Sequence, residues 1–278
     1  REREAEPVRF MVERLEPLLD GSRSALAAFL GGRAEDYVFV PNATAAVNAV
    51  VRSMDLSPGD ELLTVSHAYN ACVNVLRYVG ERTGARVVVA EVERFPDSAE
   101  AFVEAFMRHA GERTRLVMVC HVTSPTAIVL PVERIVSLMR ERFPKADVLV
   151  DGAHGPGMLD VDIERIGAAY YTANCHKWMC SPKGSAFLHV RKDRQMAVRP
   201  HVISHGANSN RKDRSRYLLE FDWTGTGDPT AVLCIPEAIR AMAEIWGEGD
   251  VTAAWSAIRA RNRALALEGR RIIAAAVG

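Results

Sequence analysis

Cysteine is scarce in this 278-residue chain, and what there is does not pair. Cys72, Cys120, Cys175, Cys180 and Cys234 are scattered, odd in number and mostly in apolar surroundings. That excludes a disulfide framework and suits reduced thiols in a cytoplasm. The nearest two, Cys175 and Cys180, have no second pair beside them, so no zinc site and no other metal is expected. An excess of either charge is lacking too, since 35 Lys and Arg stand against 35 Asp and Glu. Without a global field, neither nucleic acid nor an anionic membrane is an expected partner, and the basic cluster Arg211 to Arg216 is expected to be a solvated loop. No apolar run is long enough to cross a bilayer, and no signal peptide is expected. No glycine-rich fingerprint follows the first strand, which ranks a dinucleotide-binding protein low. Repeats, low-complexity tracts and clear linkers are likewise missing.

What is present is ample apolar material in a regular order. With 48% hydrophobic residues, the chain can bury the core of one large domain or two ordinary ones. Apolar spacing predicts two helices within 5–29, broken near Asp20 and Gly21, then a strand at 37–40 and a helix at 43–54. Further strands are expected at 61–65, 86–92, 115–122, 147–150 and 184–190, with an apolar-aromatic run at 167–173. Helices are expected at 70–83, 99–110, 131–143 and 230–246, and from about 251 onward. Residues 191–216 read as irregular and 221–229 as a dense turn cluster. Strands alternating with helices in this way predict an α/β fold, a mostly parallel sheet with helices on both faces and right-handed crossovers. Both ends fall inside helical patterns, so the chain is expected to be part of something longer.

Sheets of this type bind ligands beyond the carboxyl ends of their strands. Thr44, His67, Ser124, Asp151, His154 and Lys177 each follow a strand and share that position. Lys177, in Asn174-Cys175-His176-Lys177-Trp178, is the organising residue. Desolvation disfavours an ammonium, lowers its pKa and leaves an amine able to attack a carbonyl, the basis of Schiff-base attachment of pyridoxal phosphate. That cofactor also asks for a carboxylate at its pyridinium nitrogen, a phosphate cradle and a flat group against its ring. Asp151, ending a buried strand, would be costly without a cationic partner such as a protonated ring nitrogen, though it could equally cap a turn. Asn42 and Thr44 stand where they could cap the helix that follows or meet a phosphate oxygen at its N-terminus. His67 could stack on a ring, His154 could reach a ring hydroxyl, and His176 and, less readily, Asn174 could meet phosphate.

Asn42-Ala43-Thr44-Ala45, His67-Ala68-Tyr69-Asn70, Asp151-Gly152-Ala153-His154 and His176-Lys177-Trp178, in this order, resemble the class V aminotransferase family of fold-type I pyridoxal phosphate enzymes. Within it the likeness is to the isopenicillin N epimerase-like branch, which also contains cysteine desulfurases and C–S lyases. The resemblance implies the large domain of an aspartate aminotransferase-like fold and pyridoxal 5′-phosphate as cofactor. It implies Lys177 as the Schiff-base lysine, Asp151 at the pyridinium, His67 stacked on the ring and His154 at the ring hydroxyl. Thr44, the Ala45 amide and His176 would bind phosphate, and Thr226 would act on the phosphate of the other subunit of a homodimer with shared active sites. Ser124 stands where desulfurase relatives have asparagine, which points away from that branch.

On this basis residues 1–250 are expected to form the cofactor-binding domain. Residues 251–278 would begin a helix towards a small C-terminal domain that would carry the substrate-carboxylate arginine. The expected activity is at the α-carbon of an amino acid or amino-acid-derived substrate, by epimerase or C–S lyase chemistry. Aminotransferase or desulfurase-like activity is the alternative. A non-catalytic regulatory module that retains the cofactor is a further alternative, disfavoured because a scaffold would not need the lysine, aspartate and stacking set together.

Overall fold

The computed structural model describes residues 2–92, 97–247 and 250–277. Arg1 and Gly278, the outermost residues of the two terminal helical patterns, lie outside the described residues. Among those described, seven strands form one sheet. They are β1 (Tyr37–Val40), β2 (Glu61–Val65), β3 (Arg86–Ala90), β4 (Thr114–Cys120), β5 (Asp147–Asp151), β6 (Tyr170–Asn174) and β7 (Ala186–Val190). The longer helices are α1 (Leu15–Leu30), α2 (Ala43–Arg52), α3 (Asn70–Thr83), α4 (Ala99–Met107), α5 (Val132–Arg142), α6 (Arg216–Asp222), α7 (Ile235–Trp246) and α8 (Val251–Val277).

The strand order is β1-β7-β6-β5-β4-β2-β3. Pairings among β2 to β6 are parallel, but β7 runs antiparallel to both β6 and β1. The sheet is therefore mostly parallel, as expected, and β7 is its antiparallel exception. A parallel return would need a crossover of a dozen or more residues, usually helical, and the short link between β6 and β7 holds none.

Side chains alternate across the sheet, which assigns each strand residue to one of two cores. Leu116, Met118 and Leu149 pack towards α2, α3 and the Tyr217–Phe221 part of α6. Val117, Val119, Val148 and Val150 pack on the other face, under α1, α4, α5, α7 and Trp255 of α8. The same alternation carries Asp151 to the α2/α3 face, two residues beyond Leu149.

Three expectations need correction. First, the helix over 15–30 does not break at Gly21. A Cβ there would meet open space, so the glycine costs only about 1 kcal/mol of helix propensity, and the pairings of Arg23 hold the turn. Fully buried Arg23 donates to the Tyr37 carbonyl at 2.9 Å and pairs with Asp20 and Asp222. The irregularity lies earlier, in a π-helical turn at Phe10–Arg14. Second, the helix over 230–246 is two helices, Thr230–Leu233 and α7, because Pro236 has no N–H to continue the ladder across Cys234. Third, the basic cluster is not all solvated. Arg214 is largely buried against Asp20 and Asp222, a bridge from α1 to the start of the 223–229 turn.

Candidate active site

The carboxyl ends of the strands open onto a cavity of about 490 Å³. Its wall includes Asn42, Ala43 and Thr44 after β1, Tyr69 after β2, Cys120 and Ser124 at and after β4, Asp151 and His154 at β5, and Asn174, His176 and Lys177 at β6. Eight of the ten proposed site positions therefore bear on one rim: Ala45, next to Thr44, and seven wall residues. The exceptions are His67 and Thr226.

At the first turn of α2, Asn42 caps the helix and accepts from the Ala45 amide at 2.9 Å. Asn174, buried at the end of β6, accepts from the Ala43 amide at 2.9 Å. The Ala46 amide reaches the Asn42 carbonyl. Of the first-turn amides, only that of Thr44 has no acceptor among the described residues. Two sequence assignments shift accordingly. The Ala45 amide is occupied by the cap, so Thr44 supplies both the free N–H and the hydroxyl, at the positive end of the helix dipole. Asn174 spends its carboxamide oxygen on positioning α2, which leaves its Nδ2 hydrogens as the donors able to meet a phosphate oxygen. His176 Nδ1 lies 2.7 Å from the Ser185 carbonyl, which can only accept, so this nitrogen carries the proton. Its Nε2 then becomes a donor to an anion only in the imidazolium form.

Asp151 is 4% exposed. Its Oδ1 accepts from the Ala153 amide at 3.1 Å and its Oδ2 from the Cys72 thiol at 3.5 Å. No ion pair reaches it among the described residues, and burial pushes its carboxyl above the ordinary range. A buried carboxylate that lacks a cation is expensive, and the open side of this one faces the cavity. Cys120 stands directly across the ladder from Asp151. Burial raises the Cys120 and Cys72 thiols, so both are neutral beside it.

Lys177 Nζ is 2.9 Å from His154 Nε2, and the Trp178 indole donates to His154 Nδ1 at 3.2 Å. Burial lowers the pKa of Lys177, against the pull of Asp151, and lowers that of His154, helped by the lysine. The turn that carries His154 lies tightly on its neighbours. A Cβ at Gly152 or Gly155 would fall within 2.2 or 2.4 Å of the Tyr171 hydroxyl. At Gly157, with φ of +85°, a Cβ would lie 2.5 Å from the Trp178 backbone. Beneath the turn, the Tyr171 hydroxyl and His121 Nδ1 meet at 3.0 Å.

His67 sits in the Val65–Ala68 turn with its Nδ1 buried and unpartnered among the described residues, and does not contribute to the wall. The aromatic residue in the wall is Tyr69, at the N-cap of α3. Its signal was legible as an aromatic in a polar turn just before a helix. Thr226 is exposed in the 223–229 turn, which borders a separate cavity of about 280 Å³ with Phe39, Pro41 and Gly184. Cys72 and Cys120 were missed as neighbours of Asp151, because strand order and helix placement bring them there.

The sequence profile described as aminotransferase class-V matches residues 8–260. This chain belongs to that family. It is 32% identical to an isopenicillin N epimerase of Streptomyces clavuligerus over 97% of its own length and 68% of the relative's. It is 27% identical to an L-cysteine desulfhydrase of Arabidopsis thaliana, with 87% and 55% covered. The chain spans 58%, 68% and 64% of three curated relatives. Among solved structures, the cystine C–S lyase C-DES superposes with a TM-score of 0.73 at 23% identity, covering 82% of this chain and 61% of that one. The Escherichia coli cysteine desulfurase CsdA gives 0.70 at 20% identity, with 84% and 61% covered. These likenesses establish the fold, that of the fold-type I enzymes.

Pyridoxal 5′-phosphate is the cofactor of this family, and the cavity fits it. Its wall offers an amine and a buried carboxylate with no ion-pair partner among the described residues, and the N-terminal end of α2 offers a free amide beside a hydroxyl. Among the described residues, no helix is long and apolar enough to cross a membrane.

Proposed function

We propose that the chain is the cofactor-binding part of a pyridoxal-phosphate enzyme that acts at the α-carbon of an amino-acid-type substrate, by epimerisation or C–S lysis. The observation that carries this reading is the convergence of Lys177 Nζ and the uncompensated Asp151 carboxylate on one cavity. Bound there, the cofactor supplies a carbonyl carbon for amines and a ring that draws electrons from the substrate α-carbon. Lys177 would hold it covalently, and Asp151 would keep a proton on the ring nitrogen. The Thr44 amide and hydroxyl would bind the phosphate, with His176 joining when charged. Tyr69 would lie against the ring in place of His67, His154 Nε2–H would donate to the ring hydroxyl, and Ser124 borders that side. Once released, the Lys177 amine would take the α-proton as general base, an effect of about 10²- to 10⁴-fold for a positioned group.

A homodimer in which Thr226 serves the partner's site, and a cytoplasmic setting, belong to the same proposal. The five unpaired cysteines suit a reducing compartment. Residues 1–250 would be the cofactor domain and 251–278 the start of a connecting helix. In support, α8 is buried only at Ala254, Trp255 and Ile258 and then exposes Leu265, Ile272 and Ile273.

The test is direct. Incubated with pyridoxal phosphate, the protein should turn yellow, and borohydride should fix the cofactor on Lys177 as read by peptide mass. A colourless protein with unmodified Lys177 would end the proposal. Lys177→Ala should keep its circular dichroism and melting behaviour yet lose covalent attachment. Exchange of α-protons with deuterated solvent across a panel of amino acids, with pyruvate, sulfide and stereochemistry followed together, separates epimerase, lyase and transaminase outcomes.

A further inference from the structure

Three side chains from two segments meet above the rim: His154 on the turn after β5, and Lys177 with Trp178 on the turn after β6. Their hydrogen bonds are not interchangeable. An indole nitrogen only donates, so His154 Nδ1, which receives the Trp178 Nε1–H at 3.2 Å, carries no proton. The one proton of a neutral imidazole then sits on Nε2, which faces Lys177 Nζ at 2.9 Å. An ammonium has no lone pair with which to accept, so this contact requires the free amine. The opposite tautomer would present a bare Nε2 and favour an ammonium there instead.

We propose that Trp178 is a positioning residue: its indole N–H decides which ring nitrogen of His154 is protonated, and so keeps a donor aimed at Lys177 Nζ. This rests on the reading of Lys177 as the reactive amine and goes beyond it, because the selecting group touches neither the lysine amine nor Asp151. Trp178 is 42% exposed, so burial of its ring does not account for its place, whereas its N–H has one well-aimed acceptor. Gly157 sets that aim, because a residue with a side chain there would drive the Trp178 backbone away.

The other groups around the pair do not replace this selection. Asp151 bonds Ala153 and Cys72, His176 bonds the Ser185 carbonyl, and Cys120 is neutral. None of these is hydrogen-bonded to His154, and Ser124, also in the cavity wall, has no bond to the ring. With cofactor bound, the same Nε2–H would face the ring hydroxyl oxygen, so one choice of tautomer serves both states.

The test needs no turnover. In the cofactor-free chain labelled with ¹⁵N-histidine, His154, identified by the signal lost in His154→Gln, should show an unprotonated Nδ1 and a protonated Nε2 near neutral pH. Trp178→Phe keeps a ring and removes the donor, and should shift the tautomer ratio about fivefold, the worth of one hydrogen bond of about 1 kcal/mol. Labelling of Lys177 by trinitrobenzenesulfonate, read by peptide mass, should slow about fivefold in Trp178→Phe by the same reasoning. On a His154→Gln background, where the carboxamide can present a donor without help, Trp178→Phe should have no further effect. A protonated Nδ1 in the unaltered chain would overturn the proposal, and this readout does not depend on any variant folding. Equal slowing on both backgrounds would also overturn it, as the mark of a packing role. Borohydride fixation reports separately on whether Lys177 carries the cofactor.

Discussion

At the residue scale, the site is a set of groups each deprived of its ordinary partner. Among the described residues Asp151 has two donors and no ion-pair partner, and burial outweighs the charge of Lys177 and holds its carboxyl above 3.8. The folded, cofactor-free chain thus binds this proton more tightly than the unfolded chain. The stability tied to this group is present below 3.8 and is lost as pH rises from there through the raised value. Asp151→Asn removes the loss. In denaturant titrations without cofactor, the variant should match the unaltered chain at acid pH and be the more stable at neutral pH. With cofactor, its α-proton exchange should fall about 10²- to 10³-fold, the scale of a lost preorganised charge. A variant less stable at neutral pH would mean that Asp151 already has a cationic partner. The lysine, the aspartate and the two-residue span to the helix start were legible from position alone, because each follows a strand. What was not legible is which amide stays free. Asn42 and Asn174 take those of Ala45 and Ala43, and the second of these depends on β6 lying beside β1's helix, a fact of topology that spacing along the chain does not carry.

At the element scale, two turns pressed together build the geometry around Lys177. Gly157→Ala forces a Cβ onto the Trp178 backbone at a positive φ, so it should cost about 1–3 kcal/mol of stability. It should also slow Lys177 labelling as Trp178→Phe does, while Gly21→Ala, facing open space, should leave labelling unchanged and raise stability by up to about 1 kcal/mol. Away from the cavity wall, His121, just past the end of β4, and His189 in β7 are pushed down to about 4 by burial. Both are neutral in the fold but bind protons in the unfolded chain from 6.5 downward. Stability should therefore fall as pH drops from 6.5 to about 4, by up to about 1.4 kcal/mol per pH unit for each histidine. His189→Leu should remove about half of this slope, and an unchanged slope would show that His189 is not the group being titrated. The order of strands and helices was readable because each is a run with its own period. The direction of β7 was not, since alternation is the same whichever way a strand runs. The continuity of α1 was also hidden, since Gly21 reads as a break unless the distant carboxylate of Asp222 is known to meet Arg23.

At the scale of the whole molecule, the question is whether one chain completes its own site. Thr226 lies in an exposed turn bordering a different cavity from the one that contains Lys177, although both open near the ends of β1. That separation is the reason to propose that Thr226 reaches the phosphate of a second copy. If so, Lys177→Ala and Thr226→Ala chains should complement each other. Either variant alone has two defective sites per dimer. In a mixed dimer, one site combines both defects, and the other combines an intact lysine from one chain with an intact threonine from the other. Thr226→Ala alone should weaken cofactor retention about tenfold or more, the worth of a charge-assisted hydrogen bond. Mixing after partial denaturation should restore up to half of the tight cofactor binding in the mixed dimers, measured by retained absorbance after gel filtration. No restoration, with mixed dimers verified by mass, would place Thr226 outside the site. Retention equal to that of the unaltered chain in Thr226→Ala alone would make the turn a feature of the interface surface and nothing more. Restoration is the outcome that packing alone cannot produce, because neither chain then contains more intact residues than before. It has only acquired the other's.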